Sequence, residues 1–273
     1  MANRIKNLVL VASGKGGVGK STVAANLALA LAADGSKVGL LDADVYGPSI
    51  PMMFGDAQPV RAEDGEGLAA IEKHGIKLMS IGYLVDANTA MVWRGPMLAS
   101  AVTQFVEDVA WGDLDTLVFD LPPGTGDIQL TLAQKFKVTG ALLVTTPQKV
   151  ALSDVFRAKN MFDKVGIRTL GIVENMCYFL CPSCHSRHEI FAYGGGESAA
   201  KELDVQFFGR VPIDIAVRES GDSGVPIVIA APTSASANAF FAIAKDLKTR
   251  LAAINVEDAA KEKRQGALKI ISS

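Results

Sequence analysis

The eight residues at positions 14–21, G-K-G-G-V-G-K-S, have the spacing G-x-x-x-x-G-K-[ST] of a loop that cradles phosphate. Gly14, Gly16, Gly17 and Gly19, with Val18 among them, let the backbone curl so that successive N–H groups face one anion. A helix starting near Lys20 adds the positive end of its dipole. In such a loop Lys20 bridges the β- and γ-phosphates and the Ser21 hydroxyl ligates Mg²⁺. Lys15 is a second lysine that an ordinary phosphate loop does not require. Three carboxylates are placed to complete the site. Asp42 and Asp44 close the run L-L-D-A-D, and Asp120 closes V-F-D ahead of L-P-P-G-T-G-D. Two residues apart on an extended strand, Asp42 and Asp44 point the same way. Asp44 is the candidate for positioning an attacking water, and Asp42 for holding Mg²⁺ waters or the lysine. A lone aspartate at a strand end is more often a cap or turn former, which remains the reading of Asp127 as a helix N-cap. A phosphate loop on the same sheet reverses those odds for the other three.

Cys181 and Cys184 form a C-P-S-C pair with metal-ligand spacing, suited to Zn²⁺ or iron–sulfur ligation. Four ligands are wanted, and Cys177 is the one further cysteine. Cys177 with His185 or His188 would complete a zinc site within one chain. Two chains, each donating Cys181 and Cys184, would supply four thiolates around a bridging cluster. The pair would also serve as a redox dithiol.

The elements that must position these residues follow an α/β rhythm. Apolar runs at 7–13, 37–44, 76–82, 115–121, 141–146, 170–175 and 206–211 alternate with helix-length segments such as 20–33 and 96–110. That pattern predicts a mostly parallel sheet covered by helices on both faces, with ligands beyond the carboxyl ends of the strands. An acidic, Gly-rich hairpin is expected near 63–67. Residues 177–196, with all three cysteines and three consecutive glycines, break the rhythm and read as an insertion. We expect one domain over 1–254, a last helix over 236–254, and a charged, loosely held tail over 255–273.

The 273 residues, 49% hydrophobic and 21% charged, suit one well-packed domain rather than a disordered chain. A net charge of −2 gives no bulk attraction to nucleic acid or an anionic membrane. No apolar run is long enough to span a bilayer, nothing reads as a signal peptide, and three cysteines make no disulfide framework. A cytoplasmic location is the expectation.

Five motifs occur in order: G-K-G-G-V-G-K-S-T (14–22), D-A-D-V-Y-G-P-S (42–49), W-R-G-P-M (93–97), D-L-P-P-G-T-G-D (120–127) and E-N-M-C-Y-F-L-C-P-S-C (174–184). Together, from about residue 5 to 250, the sequence resembles the Mrp/ApbC-type iron–sulfur cluster carrier ATPases, within the MinD/ParA-like class of P-loop NTPases with a deviant Walker A motif. The resemblance implies an ATP–Mg²⁺ site that includes Thr22, and a homodimer in which Lys15 reaches the partner's nucleotide. It implies Asp120 as the Mg²⁺-associated Walker B aspartate, its switch loop made flexible by Gly126. Asn175 would read the adenine edge, with the run V-P-I-D at 211–214, including Pro212, lining the base. A [4Fe–4S] cluster would sit at the subunit interface on Cys181 and Cys184 of each chain and pass to apo-proteins. The sequence departs from the pattern at His185, where a glycine is expected, and at Cys177, where a small hydroxyl residue is expected. The alternative is a MinD/ParA-like positioning or partition ATPase, but 256–273 lacks the long apolar face of a membrane helix.

Overall fold

A computed structural model describes residues 3–44, 47–55, 68–83, 95–124, 127–184 and 186–271. The hairpin expected near 63–67, His185, Gly126 and parts of the D-V-Y-G-P-S and W-R-G-P-M motifs lie outside the described residues, as does the side chain of Asp127.

The first half runs β1 (Arg4–Ala12), α1 (Lys20–Ala33), β2 (Val38–Asp42), α2 (Ile50–Met53), β3 (Ile71–Lys73), β4 (Ile76–Ser80), α3 (Gly95–Glu107) and β5 (Asp113–Asp120). It continues through α4 (Asp127–Lys135), β6 (Gly140–Thr145), α5 (Lys149–Lys164) and β7 (Thr169–Glu174). Two short strands, β8 (Phe179–Leu180) and β9 (Arg187–His188), precede α6 (Gly195–Glu202), β10 (Gln206–Arg210), α7 (Ile215–Asp222), α8 (Ile227–Ala230) and α9 (Ala235–Ile271).

The main sheet has eight strands in the order β10-β7-β6-β1-β5-β2-β4-β3. Every neighbouring pair is parallel except β3 and β4, an antiparallel edge hairpin that turns at His74–Gly75. The inner strands β2, β6 and β7 are buried along their whole length, which is why they read as unbroken apolar runs rather than as alternating ones. Val9 and Val11 pack one way with α1 and α9, while Leu8, Leu10 and Ala12 pack the other way with α3, α4, α5 and α6. Period-two alternation along β1 thus divides the core into two layers.

Register brings the carboxyl ends of the central strands level. Asp120 at the end of β5 lies opposite Val11 on β1 and Asp42 on β2, and Asp42 lies opposite Ser80 on β4. Sequence and structure part in two places. Strand β2 ends at Asp42, so Asp44 lies past it and the alternation argument for a shared direction does not reach that residue. The last helix runs on to Ile271 instead of stopping near 254. Residues after 255 are rich in Ala, Glu, Lys and Arg, strong helix formers that continue a helix already nucleated by packing. Arg168 pairs with Glu257 and Asp258, and Lys137 with Glu262, along that extension.

Candidate functional site

The turn after β1 owes its shape to glycine. Gly17 and Gly19 adopt φ of 81° and 77°, values that cost a side-chain-bearing residue strain. Gly14 abuts Asp154 on α5 so closely that a Cβ would collide with it, and a Cβ on Gly19 would collide with the Asn175 amide. The Ser13 hydroxyl donates to the Lys15 carbonyl at 2.8 Å and closes the turn. Helix α1 then begins at Lys20, its free N–H groups facing the loop.

Lys20 is buried, and its Nζ donates to Asp120 Oδ1 at 2.6 Å and to the Ser21 hydroxyl at 3.2 Å. Burial pushes the Asp120 carboxyl up, against the pull of the Lys20 ammonium. The second oxygen, Asp120 Oδ2, is buried with no hydrogen-bond partner, and the Ser21 hydroxyl lies beside the same carboxylate. Magnesium prefers oxygen donors and retains several waters, so this pair of protein oxygens fits it. Asp42 is placed differently. Its Oδ1 accepts from the Asp44 N–H at 3.0 Å, and its Oδ2 accepts from Ser80 Oγ at 3.0 Å and from the Ile50 N–H at 3.4 Å. Burial first, and then the Asp120 carboxylate, push Asp42 up to about 7. Both its oxygens are engaged by the protein, and it braces the turn that carries Asp44. Asp44 is half-buried and near enough to raise Asp120 in turn.

Beyond the phosphate loop lies a cavity of 560 Å³ whose lining includes Gly19, Thr22, Met52, Asn175, Phe191 and Pro212. Asn175 and Pro212, named from sequence, thus share one pocket with the loop. The Asn175 amide nitrogen donates to the Val18 carbonyl at 2.9 Å, so part of its hydrogen-bonding capacity secures the loop itself. Lys15 is half-buried, and its ammonium makes no hydrogen bond or ion pair among the described residues.

The cysteines separate into two environments. Cys181 and Cys184 sit on the connection between β8 and β9, half-buried and exposed respectively. The Cys181 N–H donates to the Ser186 carbonyl at 3.0 Å, and Cys184 Sγ lies 3.2 Å from Ser186 Oγ. Hydrogen bonding to Ser186, followed by that to Cys181, holds the Cys184 thiol below its ordinary range. Cys177 is fully buried and donates its S–H to the Val211 carbonyl at 3.1 Å. Burial, aided by Glu174, pushes its thiol up to about 12. No group of three or more His, Cys, Asp or Glu gathers into a metal site among the described residues, and His188 is exposed on β9. Among the described residues Cys177 forms no such group with the Cys181–Cys184 pair.

Sequence reasoning passed over Ser80, Asp154 and Glu174. Ser80 ends an apolar strand run just as Asp42 does, a signal that was legible. Glu174 stands directly before Asn175 and is fully buried, with Oε1 unpartnered and Oε2 accepting from the Gly196 N–H at 3.2 Å. Burial pushes its carboxyl up, against nearby Arg210.

Residues 4–248 match the model of a family described as ParA: NUBPL iron-transfer P-loop NTPase. An iron-sulfur cluster carrier protein from Synechocystis is 51% identical over 258 residues, covering 92% of this chain and 73% of the relative. One of the same description from Escherichia coli K12 is 52% identical over 252 residues, covering 92% and 67%. Among solved structures, a nucleotide-binding protein from Archaeoglobus fulgidus in complex with ADP aligns with a TM-score of 0.71 at 43% identity, covering 81% of this chain and 87% of that one. The cell division ATPase MinD of Pyrococcus furiosus aligns at 0.67 with 24% identity, covering 89% and 99%, a likeness of fold. No helix among the described residues is long and apolar enough to cross a membrane.

Proposed function

The chain belongs to the ParA-type iron-transfer P-loop NTPases, and from that premise we propose that it binds and hydrolyses ATP with Mg²⁺ while carrying an iron–sulfur cluster as cargo for apo-proteins. The observation that carries the reading is the sorting of the thiols. Two accessible, adjacent cysteines stand on a short hairpin at the same end of the fold as the phosphate loop, and the third is buried and hydrogen-bonded away. Two thiolates leave a [4Fe–4S] cluster half-ligated, and a second copy of the chain supplies the other two. The assembly is then a homodimer with the cluster between Cys181 and Cys184 of each protomer.

The roles of the nucleotide site follow its chemistry. Backbone N–H groups of 14–19 and the start of α1 receive the phosphates, and Ser21 and Asp120 hold Mg²⁺. Bound magnesium neutralises phosphate charge. Lys20 exchanges its bond to Asp120 for the phosphates, and Thr22, Asn175 and Pro212 face the nucleoside. Asp42, its oxygens engaged by Asp44, Ser80 and Ile50, bears on the magnesium shell through the turn it fixes, and Asp44 orients the attacking water. Lys15, unpaired in one copy among the described residues, reaches the partner's phosphates, where a cation stabilises developing charge. Residues 1–254 serve as the NTPase domain, with 177–196 as its cysteine-bearing insertion, and the setting is the cytoplasm.

The deciding experiment is anaerobic reconstitution with iron and sulfide, with both counted per dimer. About four of each are expected. Either Cys181→Ala or Cys184→Ala should remove the iron while ATP hydrolysis largely survives. One zinc per chain, lost on Cys177→Ser, would replace the cluster with an intrachain site.

A further inference from the structure

The segment that bears Cys181 and Cys184 also walls the nucleotide cavity. Ile190 and Phe191 stand in the cavity lining beside Gly19, Thr22 and Asn175. Ile190 is 56% exposed, an apolar side chain held at the mouth of an open pocket. One short stretch therefore faces the nucleotide on one side and continues into the cysteine hairpin on the other.

A stack of alternating rings and cations ties this stretch together. The Arg187 guanidinium, on β9, lies 4.2 Å from the ring centre of Tyr178 and 5.1 Å from that of Tyr193. The Arg210 guanidinium, at the end of β10, lies 5.0 Å from the same Tyr193 ring and 4.9 Å from Phe207. All four distances are within the range of cation–π attraction. The run Tyr178, Arg187, Tyr193, Arg210, Phe207 thus leads from the cysteine hairpin to the outer strand of the main sheet. Its foot is charged and partly buried. Arg210 pairs with Glu197 at 2.5 Å and lies 3.8 Å from Glu174, the residue next to Asn175.

Strain marks both ends of the segment. Met176, which also lines the cavity, has φ of 54°, and Ala192 has φ of 104°. Side-chain-bearing residues hold such values only where the surroundings enforce them, and they gather at switch regions.

We propose that Ile190 and Phe191 register an occupied base pocket and that the Tyr178–Arg187–Tyr193–Arg210 stack carries the displacement to the cysteine hairpin, so that nucleotide occupancy sets the exposure of Cys181 and Cys184. Ile190, Phe191, Arg187 and Tyr193 are then positioning residues, acting on the thiols through the arm. The use of this coupling rests on the cargo reading above, where it makes loading and release depend on the nucleotide. The coupling itself is a property of the protein without its cargo.

The test uses the cluster-free, reduced full chain. Alkylation rates of Cys181 and Cys184 by a maleimide are measured residue by residue by mass spectrometry, with and without saturating ADP and Mg²⁺. Wild-type rates should differ by at least about five-fold, the low end of ordinary coupling between two sites. Arg187→Gln combined with Tyr193→Leu should shrink the difference to under about two-fold while ADP affinity, read by calorimetry, holds within a few-fold. Arg187→Lys, which keeps a cation over the rings, should preserve most of it. Should the double variant melt early, Phe191→Ala serves in its place, and there both the coupling and some ADP affinity should fall. Equal rates with and without bound ADP in the wild type would overturn the proposal, as would an undiminished ADP effect in the stack variant or in Phe191→Ala. Failure of iron to bind in the reconstitution would remove the cargo and leave this measurement standing, and the reverse also holds.

Discussion

Lys20 and Asp120 form a buried ion pair in which one carboxylate oxygen is left without a partner, and that asymmetry sets what substitutions do. Removing one member of a buried pair strands the other charge, at a cost of about 3–5 kcal/mol. Lys20→Ala should therefore both abolish ATP hydrolysis, by about a hundred-fold or more, and lower the melting temperature of the nucleotide-free chain. Adding Asp120→Asn should recover part of the melting temperature and none of the activity. A Lys20→Ala chain that hydrolyses ATP near the wild-type rate would sink the phosphate-loop assignment. Cys177 obeys a different logic. Its thiol, raised from 9.0 to about 12 by burial, keeps its proton in the native chain where the unfolded chain loses it. Its contribution to stability is intact below pH 9 and is lost as pH rises from there towards 12. At pH 8 Cys177 should alkylate far more slowly than Cys184, and Cys177→Ser, which retains a donor for the Val211 carbonyl, should keep bound iron. Equal labelling of the two thiols would show that Cys177 is accessible.

At the scale of elements, α9 joins two unlike halves. Phe240, Ile243, Leu247, Leu251 and Ile254 are buried in the core layer with α1, whereas beyond them Asp258 makes a part-buried pair with Arg168 and Glu262 an exposed one with Lys137. Leu247→Ala should cost about 2–5 kcal/mol, the range for a large-to-small change in a packed core. Glu262→Gln, which breaks a pair that is 73% and 67% exposed, should move the melting temperature by no more than about 2 °C. Thermal melts of the two variants check the contrast, and a large loss on Glu262→Gln would mean that the helix extension is docked rather than tethered. The cysteine hairpin is the opposite kind of element. Strands β8 and β9 pair over two residues each, too few to be stable alone, and the ring–cation stack takes the place of a core.

For the whole molecule, the proposed dimer makes each site depend on two chains. Lys15→Ala should leave ATP affinity largely intact while turnover falls. Mixed with Lys20→Ala, it should recover activity beyond either variant alone, because mixed pairs contain one site with both lysines. No recovery on mixing would leave Lys15 without its role in trans.

The phosphate loop and the sheet were legible in the sequence because both are local codes. Positive φ at Gly17 and Gly19 is a property of those residues, and buried parallel strands announce themselves as apolar runs. Membership of the family followed from five short motifs in order. The partners that the active groups find were not legible, because they are far apart in the chain and only strand register and the packing of α1 against the sheet bring them together. Lys20 and Asp120 are 100 positions apart, and Asp42 and Ser80 are 38 apart. Sequence placed Asp42 and Asp44 on one extended strand, but the strand stops at Asp42 and its carboxylate turns to cap the chain that follows. Sequence left all three cysteines as ligand candidates, and only packing buried Cys177 beneath Val211 while leaving the C-P-S-C pair outside. Residue type determines what each group can do, and the tertiary fold, by deciding which groups lose water together, determines which of them do it.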